Sequence, residues 1–171
     1  MYSREKSPVP LKELRLLYNE LPEEKVKRYY NLHYLIKKDV PRDKWLKGYD
    51  EPGLKIYAQY FLEYGVDSFT RAHTDNDNVI VKTSITLVDA VNLEGGEIIV
   101  YEPHYKKDME VTPDVLNRYK EGDYHPGEEV IPIVVKQEVG EVINYAPHVK
   151  HAVSKVEKGT RLVFVVWYQK G

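Results

Sequence analysis

The chain has 171 residues, 42% of them hydrophobic and 30% charged, with a formal net charge of −2, which bounds it to one soluble globular domain with a sizeable core. No basic run supplies the electrostatic footprint of a nucleic-acid partner. The absence of cysteine excludes disulfides, thiolate zinc sites and iron–sulfur clusters.

Met1 to Pro10 is polar and lacks the apolar core of a secretory signal. The longest apolar run, Leu162–Tyr168, is strand-sized and far too short to span a bilayer. The expectation is a cytoplasmic protein without a membrane partner. Leu11 to Leu21 mixes apolar and charged residues and fits either a strand or a short helix. Pro22-Glu23-Glu24 has the chemistry of a helix start, with Val26, Tyr29, Tyr30, His33 and Ile36 on one face at three- and four-residue spacing. An amphipathic helix is therefore predicted, with Lys37 and Lys38 at its C-terminus and Pro41 as its stop. His33 is assigned to packing within that stripe.

From Leu54 the period changes to two, and a strand through Tyr64 is predicted, followed by a turn at Gly65–Ser68. Val79–Val88 is rich in β-branched residues and reads as a strand. Asn92–Gly96 is a turn and Glu97–Tyr101 a strand. Residues 102–129 form a polar excursion with a short helix expected near Asp114–Tyr119, a candidate lid. Strands then follow at Ile131–Val139, Glu141–Ala146, His151–Val156 and Leu162–Tyr168. The predicted architecture is mainly β with N-terminal helices (α+β), a jelly roll or double-stranded β-helix flanked by helices. One domain over 1–171 is expected, with helical support at about 11–50 and the jelly-roll core at about 54–171.

Within that frame, His73-Thr74-Asp75 and the later His151 follow the ligand order of a two-histidine, one-carboxylate triad, a donor set suited to ferrous iron with open positions on the opposite face. Asp77 competes with Asp75 and His148 with His151; Asp75 is preferred, and His151 is preferred because its spacing to Arg161 is ten residues rather than thirteen. Arg161, if buried, needs an anion, and its guanidinium fork suits a carboxylate. Tyr145, Phe164 and Trp167 fit core positions, as do most of the fifteen tyrosines. His104 and His125 read as loop histidines and Lys106-Lys107 as solvated surface.

Tyr64-Gly-Val-Asp-Ser-Phe-Thr-Arg-Ala-His73-Thr-Asp75, Gly95-Gly96-Glu97, His151 to Arg161 and the closing Trp167-Tyr168 together resemble the Fe(II)/2-oxoglutarate-dependent dioxygenases, most of all their prolyl 4-hydroxylase-like group. Asp67 stands where that group has the second glycine of its Tyr-Gly-x-Gly run. The resemblance implies that His73, Asp75 and His151 bind Fe(II), that Arg161 pairs with the distal carboxylate of 2-oxoglutarate, and that Tyr64 hydrogen-bonds this cosubstrate. It implies Trp167 as a substrate-pocket residue, O2 as co-reactant and ascorbate as reductant. The implied reaction converts 2-oxoglutarate to succinate and CO2 while hydroxylating a C–H bond. Related halogenases carry a small residue where this chain has Asp75, so halogenation is disfavoured. The implied substrate is a prolyl or other peptide side chain; the alternatives are a free amino acid or other small molecule, and, in a different class, a non-catalytic jelly-roll module binding a ligand or metal.

Overall fold

β-branched and aromatic residues are abundant after Leu54, and the described backbone there is almost entirely strand. The computed structural model describes residues 2–29, 31–75, 79–103 and 130–171. The elements are β1 (Tyr2–Lys6), α1 (Leu11–Glu20), β2 (Glu24–Tyr29), β3 (Leu32–Asp39), β4 (Leu54–His73), β5 (Ile80–Gly95), β6 (Ile98–Pro103), β7 (Val130–Val135), β8 (Glu141–Tyr145), β9 (Lys150–Val153) and β10 (Val156–Lys170). Two single 3-10 turns lie at Arg42–Lys44 and Lys47–Tyr49. No helix among the described residues is long and apolar enough to cross a membrane.

All strand pairs are antiparallel, in the order β1-β8-β5-β10-β4-β9-β6-β7, with the β2–β3 hairpin joined to β4 through β3. β4 is the strand that curls this sheet. Up to Tyr64 it pairs with β10, and from Thr70 onward with β9. The result is a half-barrel, consistent with a jelly roll.

The changeover occurs at Gly65–Ser68, the stretch with turn chemistry. The structure has instead a bend inside a continuous strand. Asp67 adopts a left-handed φ of 72°. The Ser68 hydroxyl accepts the Gly65 N–H at 2.9 Å and donates to the Tyr34 carbonyl at 2.5 Å, which ties the bend to β3. Tyr34 is itself left-handed, at φ 57°, beside a register shift between His33 and Leu35.

The inner face gathers Leu62, Tyr64, Ile85, Leu87, Val100, Ile143, Val163 and Val165 into the main core. The outer face is covered by α1, whose Leu14 and Leu17 pack with Phe61, Val88, Phe164 and Val166. Leu14 is wholly buried, worth about 2 kcal/mol of transfer free energy. The Lys38 ammonium donates to the Tyr18 carbonyl at 2.9 Å, which also accepts the capping Leu21 N–H at 3.3 Å, so the last turn of α1 is closed from two sides. Of the two states open to Leu11–Leu21, the helix is the one formed.

The helix predicted from Pro22 is not. Glu24–Tyr29 and Leu32–Asp39 pair instead as the β2–β3 hairpin, with Val26 directly across from Leu35 and both buried. Their apolar residues are β-branched, aromatic or leucine, so they serve a pleated surface well, and the free edge of β4 offers backbone partners that no isolated helix could match. The helical support expected at about 11–50 is thus one α-helix, the hairpin and two short turns. The expected helix near Asp114–Tyr119, the 102–129 lid apart from its first two residues, His104, His125, Lys106-Lys107 and Asp77 lie outside the described residues.

Candidate metal centre and anion pocket

β4 ends at His73, and β9 places His151 opposite it in register. A register shift lies between Thr70 and His73, a bulge that lets a strand re-aim a side chain. The two imidazoles come within 4.4 Å, centroid to centroid. Asp75 follows two residues on, buried to 8% exposure, with Oδ1 at 3.4 Å from His73 Nε2 and 3.6 Å from His151 Nε2. One ligand atom from each of the three lies within 4.8 Å of the others.

The hydrogen bonds around the cluster aim these atoms. A carbonyl can only accept, so His73 Nδ1–H donates to Arg71 O at 2.6 Å and His151 Nδ1–H donates to Val149 O at 2.9 Å. Both rings are thereby held in the tautomer that leaves the Nε2 lone pair for a metal. The Thr83 hydroxyl donates to Asp75 Oδ2 at 2.7 Å, leaving Oδ1 toward the imidazoles. Burial works to raise the Asp75 pKa, but the adjoining His73 and His151 rings and the Thr83 hydroxyl together hold it below the usual carboxylate value. Burial, with His73 beside it, pushes His151 down to about 4. At neutral pH the site therefore presents a neutral His151 and an anionic carboxylate. Two nitrogens and one carboxylate oxygen on one side fit ferrous iron.

His148 is exposed and stands outside this cluster.

Arg161 and Tyr64 are direct cross-strand partners on β10 and β4. Each is only 2% exposed. The Arg161 guanidinium carbon lies 5.0 Å from the Tyr64 ring centre. Its Nη1 and Nη2 are buried without a hydrogen-bond partner among the described residues. Burial lowers its pKa, yet a guanidinium keeps its proton, so this fork fits an incoming carboxylate. The Tyr64 hydroxyl is hydrogen-bonded to the Thr70 hydroxyl at 2.7 Å. Gly96, with φ 62°, borders the Arg161 stem; a Cβ there would touch Arg161 Cδ at an ordinary 3.5 Å but crowd Val156 Cγ2 at 2.9 Å.

Trp167 is half-buried and packs against the main core, parallel to Tyr57 and edge-on to Tyr60. Its backbone partner on β5 is Thr83, the residue that holds Asp75.

Two site residues escaped the sequence. Thr83 carried no signal beyond strand alternation. Tyr145, assigned to the core, is buried there but also brings its hydroxyl to 2.9 Å from His151 Nε2.

No protein-family model and no curated protein matches the sequence. Solved structures do match in shape. A 2-oxoglutarate-Fe(II) oxygenase family oxidoreductase from Burkholderia pseudomallei aligns over 94% of this chain and 79% of its own, with TM-score 0.66 and 17% identity. A Pseudomonas putida prolyl 4-hydroxylase aligns over 99% and 92%, with TM-score 0.61 and 12% identity. HygX from Streptomyces hygroscopicus, solved with nickel, 2-oxoglutarate and hygromycin B bound, aligns over 99% and 82%, with TM-score 0.63 and 11% identity. The fold is the one these oxygenases share, prolyl 4-hydroxylases among them.

Proposed function

We propose that this chain is an Fe(II)- and 2-oxoglutarate-dependent oxygenase. The observation that carries the reading is a conjunction: three ligand atoms, the two imidazoles with fixed tautomers, and a buried guanidinium fork without a hydrogen-bond partner among the described residues. His73 Nε2, Asp75 Oδ1 and His151 Nε2 hold the iron, while Arg161 takes the distal carboxylate of 2-oxoglutarate and Tyr64 assists it. Bound together, iron and 2-oxoglutarate supply the O2-dependent hydroxylation of an unactivated C–H bond, with succinate and CO2 as coproducts. Ascorbate serves as reductant.

The chain's own part is to orient and to exclude water. The Arg71 and Val149 carbonyls fix the imidazoles, Thr83 fixes the carboxylate, and burial strengthens each charged contact. Trp167 borders the substrate. The proposed substrate is a prolyl or other peptide side chain, in keeping with prolyl hydroxylases among the shape-matched structures, one of them from Trichoplax adhaerens in complex with a peptide fragment. A small-molecule substrate is the second reading, since other shape-matched proteins hold hygromycin B or a nogalamycin.

The test is O2-dependent formation of succinate from 2-oxoglutarate by the Fe(II)-loaded protein, with a visible charge-transfer band appearing anaerobically when both are bound. His151→Ala should abolish Fe(II) retention while His148→Ala keeps it. Neither succinate nor the band would leave a non-catalytic binding module as the better account. Mass spectrometry of candidate peptides and metabolites, read for a gain of one oxygen, separates the two substrate classes.

A further inference from the structure

Tyr145 closes β8 and faces the inner core, paired in register with Thr83 of β5. It is 4% exposed, and its ring lies 4.2 Å from the His151 ring, centre to centre. The direction of its hydrogen bond is fixed by elimination. His151 Nδ1 carries the proton it gives to the Val149 carbonyl, so Nε2 is unprotonated and accepts from the Tyr145 hydroxyl. That Nε2 lone pair is the same one a metal would take. One lone pair cannot serve two donors.

When a metal occupies Nε2, the buried phenol loses its acceptor, and a buried donor left unpaired is costly. The charged and titratable groups that bear on this hydroxyl are Asp75, Tyr60, Tyr64 and Arg161. Asp75 already receives Thr83 on Oδ2 and directs Oδ1 to the metal side. The Tyr64 hydroxyl is engaged with Thr70, and Arg161 can only donate. An anion held by the Arg161 fork would bring an acceptor to this hydroxyl.

We propose that Tyr145 is a two-position donor that occupies His151 Nε2 in the metal-free site and turns to a carboxylate of the bound oxo-acid in the loaded one. This rests on the functional reading above and adds to it a coupling between metal and oxo-acid binding. Metal binding breaks the Tyr145–His151 bond, and the oxo-acid gives the freed hydroxyl a new partner. By linkage the two ligands reinforce one another through this side chain.

The coupling gives Tyr145→Phe effects of opposite sign. Ni(II) serves as the probe metal, since it does not turn over with O2. Calorimetric titration of the full chain should show Ni(II) alone binding Tyr145→Phe about 2- to 10-fold tighter than wild type, because a competing neutral hydrogen bond is gone. Titration of 2-oxoglutarate into Ni(II)-loaded Tyr145→Phe should show binding about 10-fold weaker or more, the size of one hydrogen bond to a charged group. Thr83→Val, which loosens Asp75 without touching the competition, should weaken both. Unchanged Ni(II) affinity in Tyr145→Phe, or weakening of both ligands as in Thr83→Val, overturns the proposal. Should Tyr145→Phe fail to fold, wild type labelled with 13Cζ-tyrosine gives the second measurement. Zn(II) should shift one tyrosine resonance and 2-oxoglutarate should shift it again, and a resonance that moves in neither step overturns the proposal. Wild type that takes up Ni(II) but no 2-oxoglutarate overturns the functional reading as well, whereas normal wild-type binding with same-sign changes in Tyr145→Phe overturns the Tyr145 role alone.

Discussion

A guanidinium buried without hydrogen-bond partners is a standing cost to the folded chain, and Arg161 carries that cost on both terminal nitrogens among the described residues. Its cation–π contact with Tyr64 offsets part of it. Replacing Arg161 by Met should therefore raise the urea midpoint of the unliganded protein, by about 1–3 kcal/mol of stability. The same change should weaken 2-oxoglutarate binding by about 100-fold or more, since a bidentate charged pair is lost. A residue kept only for packing would lower stability on substitution and leave 2-oxoglutarate affinity alone. At this scale the sequence was informative, because side-chain chemistry and local spacing are written in it. The spacing argument preferred His151 over His148, and the structure buries the first in the cluster while exposing the second. Asp67, which stands where the resembled group has glycine, takes the left-handed φ of 72° that a glycine tolerates freely.

At the scale of elements, bends and bulges aim the site. Beside the β4 bulge that precedes His73, Arg71 Nε donates to His33 Nε2 at 3.1 Å, while the His33 ring stacks on Phe69 at 4.4 Å. His33 was rightly assigned to packing, but on a strand rather than a helix. The Gly95-Gly96 turn has a steric reason as well as a conformational one, since both residues have positive φ and a Cβ on Gly95 would meet the Lys155 carbonyl at 2.2 Å. Gly96→Ala should cost about 1–3 kcal/mol, read as a lowered denaturation midpoint. Because Gly96 also borders the Arg161 stem, 2-oxoglutarate affinity of the variant should fall with it. The β2–β3 hairpin shows why the helical expectation failed: a three-to-four spacing of apolar residues is not exclusive, and pairing with β4 was invisible in the local pattern.

For the molecule as a whole, β1 is bound to a strand far along the chain, with 137 residues between Arg4 and Glu141 in sequence number. Arg4 on β1 reaches both carboxylate oxygens of Glu141 on β8, at 2.8 and 2.5 Å, and the Lys136 carbonyl at 2.6 Å. The bond to Arg4 outweighs burial and holds the Glu141 carboxyl below its usual value. A depressed folded-state value means that the pair's contribution is complete above the unfolded value, about 4.3, and is lost as pH falls through the folded value. The pair is partly exposed, so the effect is at most about 1 kcal/mol. Glu141→Gln should flatten the loss of stability between about pH 5 and pH 3, measured as urea midpoints against wild type. Sequence alone determined the donor types, their order along the chain, and the strand-rich second half, because each depends on local chemistry or a period of two. The tertiary structure decided that Glu24–Tyr29 and Leu32–Asp39 pair as a hairpin, that His73 meets His151 across β4 and β9, and that Thr83 and Tyr145 join the site. Those outcomes depend on the register between distant strands, which the rolled sheet sets through backbone pairing and shared burial.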